Sequence, residues 1–159
     1  MSDVLYGRRW FRTFNVIDEA NREALGIEVA TSIPSARVIR VMEQLIEMYG
    51  RPKALRLDNG SELTSIAFTE WCDQQQIELH FIQPGKPDQN AFIERFNKTY
   101  RTEVLDAYLF DSLVQVRQIT ESWLLEYNQE RPHDSLGCVP PLTFMPRQTN
   151  AESALPLCA

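Results

Sequence analysis

A chain of 159 residues with 43% hydrophobic and 24% charged content is the size of one domain and can bury a core unaided, which excludes wholesale disorder. No apolar run approaches the length of a membrane span and the amino terminus has no signal-peptide pattern, so no membrane partner is expected. The formal net charge of −6 weighs mildly against a nucleic-acid partner, but Arg8, Arg9 and Arg12 cluster early and Arg95, Lys98 and Arg101 fall on one helical stripe, which leaves room for a locally basic face.

In chain order, Val4-Leu5-Tyr6 before Gly7 reads as the end of a strand and its turn. Trp10–Ile17, rich in aromatic and β-branched residues, predicts a second strand, and Ala24–Ala30 its hairpin partner across a polar turn. Val38, Val41, Met42, Leu45, Ile46 and Tyr49 recur at helical spacing, with Ser35 as N-cap and Gly50 as the stop. Ala54–Leu57 is a short strand ending at Asp58, Ser65–Gln75 a helix burying Phe68 or Ala67 with Ile66 and Trp71, and Ile77–Ile82 an alternating strand. Gln83–Pro87 holds two prolines and a glycine and can continue neither element. A long helix is expected from Asp88 to Leu105 with Phe92, Phe96, Tyr100 and Val104 as its apolar stripe, and another from Ser112 to Tyr127 burying Val116, Ile119, Trp123 and Leu124. The proline-bearing end, with Pro132, Pro140, Pro141 and Pro146, reads as extended. The order predicts a mixed α/β layered domain over residues 1–147, three antiparallel strands first, followed by a tail over 148–159.

Cys72, Cys138 and Cys158 are widely spaced, and His80 and His133 are too few for a zinc module; the cysteines read as reduced thiols of a cytosolic protein. Cys72 reads as a small buried residue and His80 as a strand-end residue. The chemistry-bearing candidates are Asp58 in Asp58-Asn59-Gly60-Ser61-Glu62 and Glu94, thirty-five residues further on in a helix. Carboxylates on two rigid elements near the carboxyl end of a sheet suit divalent-metal phosphoryl transfer. Each also has a plain reading. Asp-Asn-Gly is a common turn, and Asn90, Glu94, Lys98 and Arg101 could be a solvated face with a Glu94–Lys98 pair worth a few tenths of a kcal/mol. Periodicity does not separate the two.

The combination does. Asp-Asn-Gly at a strand end, followed at that distance by Asn90-Ala91-Phe92-Ile93-Glu94-Arg95-Phe96-Asn97, resembles the integrase core of bacterial insertion-sequence transposases and retroviral integrases, whose three acids form a DDE site on an RNase H-like fold. Gln83–Asn90 is similar to the loop leading into that family's catalytic helix. Tyr127-Asn128-Gln129-Glu130-Arg131-Pro132-His133, with Leu136-Gly137 and Pro140-Pro141, is similar to the closing signature of the transposase branch. The resemblance implies helices on both faces of a mixed sheet, Asp58 and Glu94 as catalytic metal ligands, and two Mg²⁺ or Mn²⁺ ions. It further implies DNA as substrate, with Lys86, Asn90, Arg95, Lys98 and Arg101 at the phosphates and Asn59 near the reacting groups. It implies a homo-oligomer or assembly with full-length transposase protomers, in the bacterial cytoplasm at the nucleoid.

The first acid of such a site lies in the first strand, before the turn matching Tyr6-Gly7-Arg8. Aligned with relatives in which Trp-Ser-x-Asp-Phe runs into Met-Ser-Asp, it falls just upstream of Met1. Asp3 shares its parity but stands four strand residues away, ~13 Å of translation. Asp18 matches an acid that is not a ligand in the family, and reads as a hairpin-turn residue. The expectation is a truncated, impaired copy lacking the first catalytic Asp, and lacking the family's upstream helix-turn-helix region. The alternatives are a non-catalytic remnant that binds DNA or transposase protomers, and a cellular RNase H-like nuclease, which the closing signature disfavours.

Overall fold

A computed structural model describes residues 1–83 and 90–147 together with the backbone of 157–158. Strands β1 (Ser2–Val4), β2 (Trp10–Asp18) and β3 (Ala24–Ala30) form an antiparallel ribbon, β1 and β3 flanking β2. Helix α1 (Ser35–Tyr49), strand β4 (Ala54–Leu57), helix α2 (Ile66–Gln74) and strand β5 (Glu78–Phe81) follow, and β4 pairs in parallel with β5. Helix α3 (Ala91–Tyr100) continues into a π-helical turn (Arg101–Leu105), then come α4 (Leu113–Gln129), α5 (Pro141–Phe144) and β6 (Leu157–Cys158). The last strand lies between β2 and β4, giving a single mixed sheet.

Alternation along β2 decides what packs where, since successive side chains point to opposite faces. Phe14 and Val16 meet α1 and α2 through Met42, Leu45, Phe68 and Trp71. Phe11 and Ile17 meet the opposite layer, Tyr100, Val104 and Val116 in one cluster and Phe96 with Tyr127 in the next. Both faces of the sheet therefore carry helices, and β2 is buried on both sides from Phe14 onward. Gly26 on β3 lets α1 come close: a Cβ there would stand 3.4 Å from the Leu45 methyl.

Three sequence expectations need correction. Ser35 does not cap α1; Pro34 occupies the N-cap position, and its fixed φ of −71° sets up the first turn without a side-chain bond. Phe92 is not part of the apolar stripe of α3, which is Ile93, Phe96 and Tyr100. A strict period of four drifts around a 3.6-residue helix, so Phe92 turns outward, 42% exposed, with the Arg22 guanidinium 3.4 Å above its ring centre. The proline-bearing end is not simply extended: residues 134–136 form a 3₁₀ turn and Pro141 starts a helical turn.

The closing motif works as a staple. Asn128 donates its amide to the Ala24 carbonyl (2.9 Å) and accepts the Ala24 N–H (2.8 Å), joining α4 to the start of β3. Glu103 accepts from Trp123 Nε1 (2.8 Å) and pairs with Arg131, and His133 packs edge-on against Tyr127, ring centres 4.8 Å apart. Burial pushes the Tyr127 hydroxyl up to about 12, and the Tyr100 hydroxyl likewise, which bonds Thr120 Oγ1 at 2.7 Å.

Candidate functional site

Asp58 follows the buried Leu57 at the end of β4 and is itself exposed. Its Oδ1 accepts the Gly60 N–H (2.9 Å), closing an Asx turn. Gly60 is required there, because a Cβ would stand 3.0 Å from Asp58 Oδ1 and 3.5 Å from Glu62 Oε2. Asn59 is spent on structure: its amide donates to the Ile82 carbonyl (3.1 Å), tying the turn to the end of β5. The plain turn reading of Asp58 is thus true of one oxygen, Oδ1, and does not account for the other.

Glu94 lies in the first turn of α3, exposed, where a helix N-terminus favours a carboxylate. No ion pair joins it to Lys98 among the described residues. The stripe that carries it turns to the sheet. One turn on, Asn97 Oδ1 accepts from Asn15 Nδ2 (2.7 Å) on β2, and a turn further Arg101 reaches β1, bonding Asp3 Oδ2 (3.0 Å) and the Ser2 carbonyl (2.7 Å).

Met1 is the hub where these elements meet. Its amine donates to the Thr13 carbonyl (2.7 Å), and its sulfur lies 3.3 Å from Asn15 Nδ2. Burial, and next the Arg12 charge, lower the pKa of that amine, while Asp58 and Glu62 pull it back up. Asp58 is therefore within electrostatic reach of the start of β1, the strand to which the Glu94 helix is tied. Arg12 on β2 pairs with Glu62 (2.6 Å). Burial alone would raise the Glu62 carboxyl, but its backbone hydrogen bond and the Arg12 guanidinium outweigh it and hold the group below its ordinary range.

The other sequence candidates separate. Lys98 and Arg95 are exposed, Arg95 on the side of α3 where its charge is felt by Tyr127. Arg101 is committed to Ser2 and Asp3, with Asp106 at 3.3 Å. Asn90 is 6% exposed, its Oδ1 buried without a hydrogen-bond partner, so it stands inside the fold. Lys86 lies outside the described residues. Asp18 ends β2, caps its own turn through the Ala20 N–H (2.7 Å), and is raised by burial. Sequence reasoning missed Glu62, Asn15 and Asn97. Glu62 stood in the same turn motif as Asp58, whereas nothing in the local pattern joined Asn15 to Asn97, which pair across eighty-two positions.

This is the architecture of an RNase H-like integrase catalytic core. It superposes on a chain of the simian T-cell lymphotropic virus intasome in complex with PP2A regulatory subunit B56 gamma, with TM-score 0.75 and 17% identity over 97% of this chain and 55% of that one. The HTLV-2 integrase catalytic core domain in complex with magnesium (trimeric form) gives TM-score 0.68 and 19% identity over 90% of this chain and 92% of that one. An integrase core domain family matches residues 1–87, and a second family of the same description matches residues 75–141. The chain belongs to the integrase core domain family, in the form carried by bacterial insertion sequences. It is 42% identical over 156 residues to the uncharacterized 39.2 kDa protein of insertion element IS476 of Xanthomonas euvesicatoria, covering 97% of this chain and 45% of that protein. It is 37% identical over 142 residues to the uncharacterized 31.7 kDa protein of insertion element IS407 of Burkholderia multivorans, covering 89% of this chain and 51% of that protein. The chain thus spans about half the length of these relatives.

Proposed function

We propose that this chain is the catalytic-core segment of a DNA transposase, in which Asp58 and Glu94 are the protein's ligands for Mg²⁺ or Mn²⁺. The supporting observation is convergence: the β4 turn and the polar face of α3 both meet the start of β1 around Met1. The donor chemistry fits, since exposed carboxylate oxygens suit hard cations. When bound, such ions supply an activated water or 3′-hydroxyl oxygen and offset charge on the phosphodiester. Gly60 holds Oδ1 of Asp58 in place. The Asn15–Asn97 bond and the Arg101 contacts fix the helix that carries Glu94. Lys98 and Arg95 are the free cations beside it for phosphate, Lys98 on the Glu94 stripe. Lys86 and Asn90 join the DNA contacts on the family resemblance. Element ends and target DNA are the substrates, a second copy or a full-length protomer is the partner, and the bacterial cytoplasm at the nucleoid is the setting. Among the described residues no helix is long and apolar enough to cross a membrane.

A non-catalytic reading has one observation in its favour: among the described residues no three acidic, histidine or cysteine side chains group into a metal cage. On that reading the fold binds DNA or transposase protomers without cleaving. Thermal unfolding in millimolar Mn²⁺ followed by a nicking assay on supercoiled DNA tests both. A rise of a few degrees that vanishes in Asp58→Asn, with Mn²⁺-dependent nicking, supports the catalytic proposal. The same rise without nicking favours the non-catalytic one, and no rise at all refutes cation binding at Asp58.

A further inference from the structure

The two halves of the sheet are joined by a strand from the far end of the chain. β1, β2 and β3 form one ribbon and β4 with β5 a second. Among the described residues the ladder between the halves runs through β6 alone: Ile17 pairs Cys158 and Asp18 pairs Leu157 antiparallel, while Leu55 pairs Leu157 and Arg56 pairs Cys158 in parallel. Backbone direction shows that this slot is open to a strand on both sides. Glu78 donates to the Lys53 carbonyl and Ile82 to the Leu57 carbonyl, so odd-numbered residues of β4 aim at β5 and Arg56 aims its N–H and C=O away, into the slot. Thr13 exchanges bonds with Met1 and Asp18 donates to Glu23 on the β3 side, so odd-numbered residues of β2, Ile17 included, aim there too.

β1 and β6 run in the same direction along this edge of β2. Met1 stands opposite Thr13 and Cys158 opposite Ile17, with Phe14, Asn15 and Val16 between. The two ends of the chain therefore share one lane. A separate contact brings the tail to that place. Arg147 pairs through its Nε with the buried Glu23 (2.7 Å) and stacks on Tyr49, 4.6 Å from the ring centre, so the chain leaving α5 is fixed on the β2–β3 hairpin. Asp18, the residue opposite Leu157, belongs to the same hairpin and donates to the Glu23 carbonyl (2.8 Å).

We propose that the slot between β2 and β4 is a strand-acceptor site whose occupant is this chain's own segment Leu157–Cys158, and that this strand closes the sheet. Because β1 enters the same lane from the other end, an extended segment joined ahead of Met1 competes with the tail for it. The proposal rests on backbone pairing and is independent of metal binding at Asp58.

Residue-resolved amide exchange on the full chain tests it, with the Ile82 amide on the β5 side of β4 as internal reference. Arg56 and Ile17 amides should exchange within about tenfold of Ile82 in the unmodified protein. Cys158→Pro, which removes a ladder donor, should speed both by more than about tenfold and leave Ile82 unchanged. Free exchange at Arg56 in the unmodified protein, or protection untouched by Cys158→Pro, overturns the assignment. The first criterion needs no variant, so misfolding of the proline variant leaves the test intact. Protection of Arg56 that appears only in a dimeric fraction on size-exclusion chromatography also overturns it, by giving the strand to a second copy. A β-prone segment fused ahead of Met1 should raise exchange at Leu157–Cys158, and unchanged tail protection in that fusion contradicts the shared lane.

Discussion

Replacing Asn128 by alanine isolates what the closing motif does. The side chain is 7% exposed and makes both of its bonds to Ala24, itself 3% exposed, accepting one backbone N–H and donating to one backbone C=O. Truncation leaves two buried backbone groups without partners at about 1–3 kcal/mol each. Water entering the vacated space recovers part of that, so we expect a loss of about 2–4 kcal/mol. At roughly 2–4 °C per kcal/mol for a chain of this size, the melting temperature should fall by about 5–15 °C. Urea unfolding followed by far-UV circular dichroism gives the free energy, with an unchanged slope showing that the unfolded state is not involved. Asn128→Asp serves as a control that keeps an acceptor for the Ala24 N–H but loses the donor, and should fall at least as far. A loss below about 0.5 kcal/mol in the alanine variant would refute the staple and return the motif to a direct chemical role.

Ile93→Ala should cost about 2–4 kcal/mol in the same urea assay and Phe92→Ala much less, reversing the order expected from a period of four. Thiol labelling of the native protein at pH 8 should modify exposed Cys138 and spare Cys72, whose thiol burial pushes up to about 12; equal labelling would contradict the burial of Cys72. The bond from Arg131 holds the Glu103 carboxyl below its ordinary value. Its stabilisation is therefore present above the unfolded pKa and lost as pH falls through the lower folded one. Arg131→Gln should accordingly destabilise at pH 7 and converge on the parent as pH drops below about 4, read from urea midpoints. A difference independent of pH would assign the loss to packing alone.

Much of the fold was legible because its signals are local. β3 and β4 fall on the bounds read from their apolar runs, and Gly50 stops α1 where expected, with φ of 88°. What escaped was long-range. Leu157–Cys158 carries no strand signal of its own, and its place is set by the open edges of β2 and β4. The π-helical turn after Tyr100, closed by the Asp106 bond to the Arg101 carbonyl, has no sequence mark and brings both Val104 and Leu105 into the core. At the site, Asp58 was legible as a strand-end acid. The orientation of the Glu94 face was not, because periodicity shows that a polar face exists and tertiary contacts such as Asn15–Asn97 decide where it points. Arg101 read as a surface cation for the same reason: its partners Ser2 and Asp3 lie at the opposite end of the sequence.

The most direct measurement is Mn²⁺ binding followed by electron paramagnetic resonance on the parent chain, Asp58→Asn, Glu94→Gln and the double variant. If the two carboxylates share one cation, each single change weakens binding by about tenfold or more and the double change adds little, the non-additivity expected of groups acting on one ion. Affinity unaltered by either substitution, or losses that add as for two separate weak sites, would contradict a shared metal site at the start of β1.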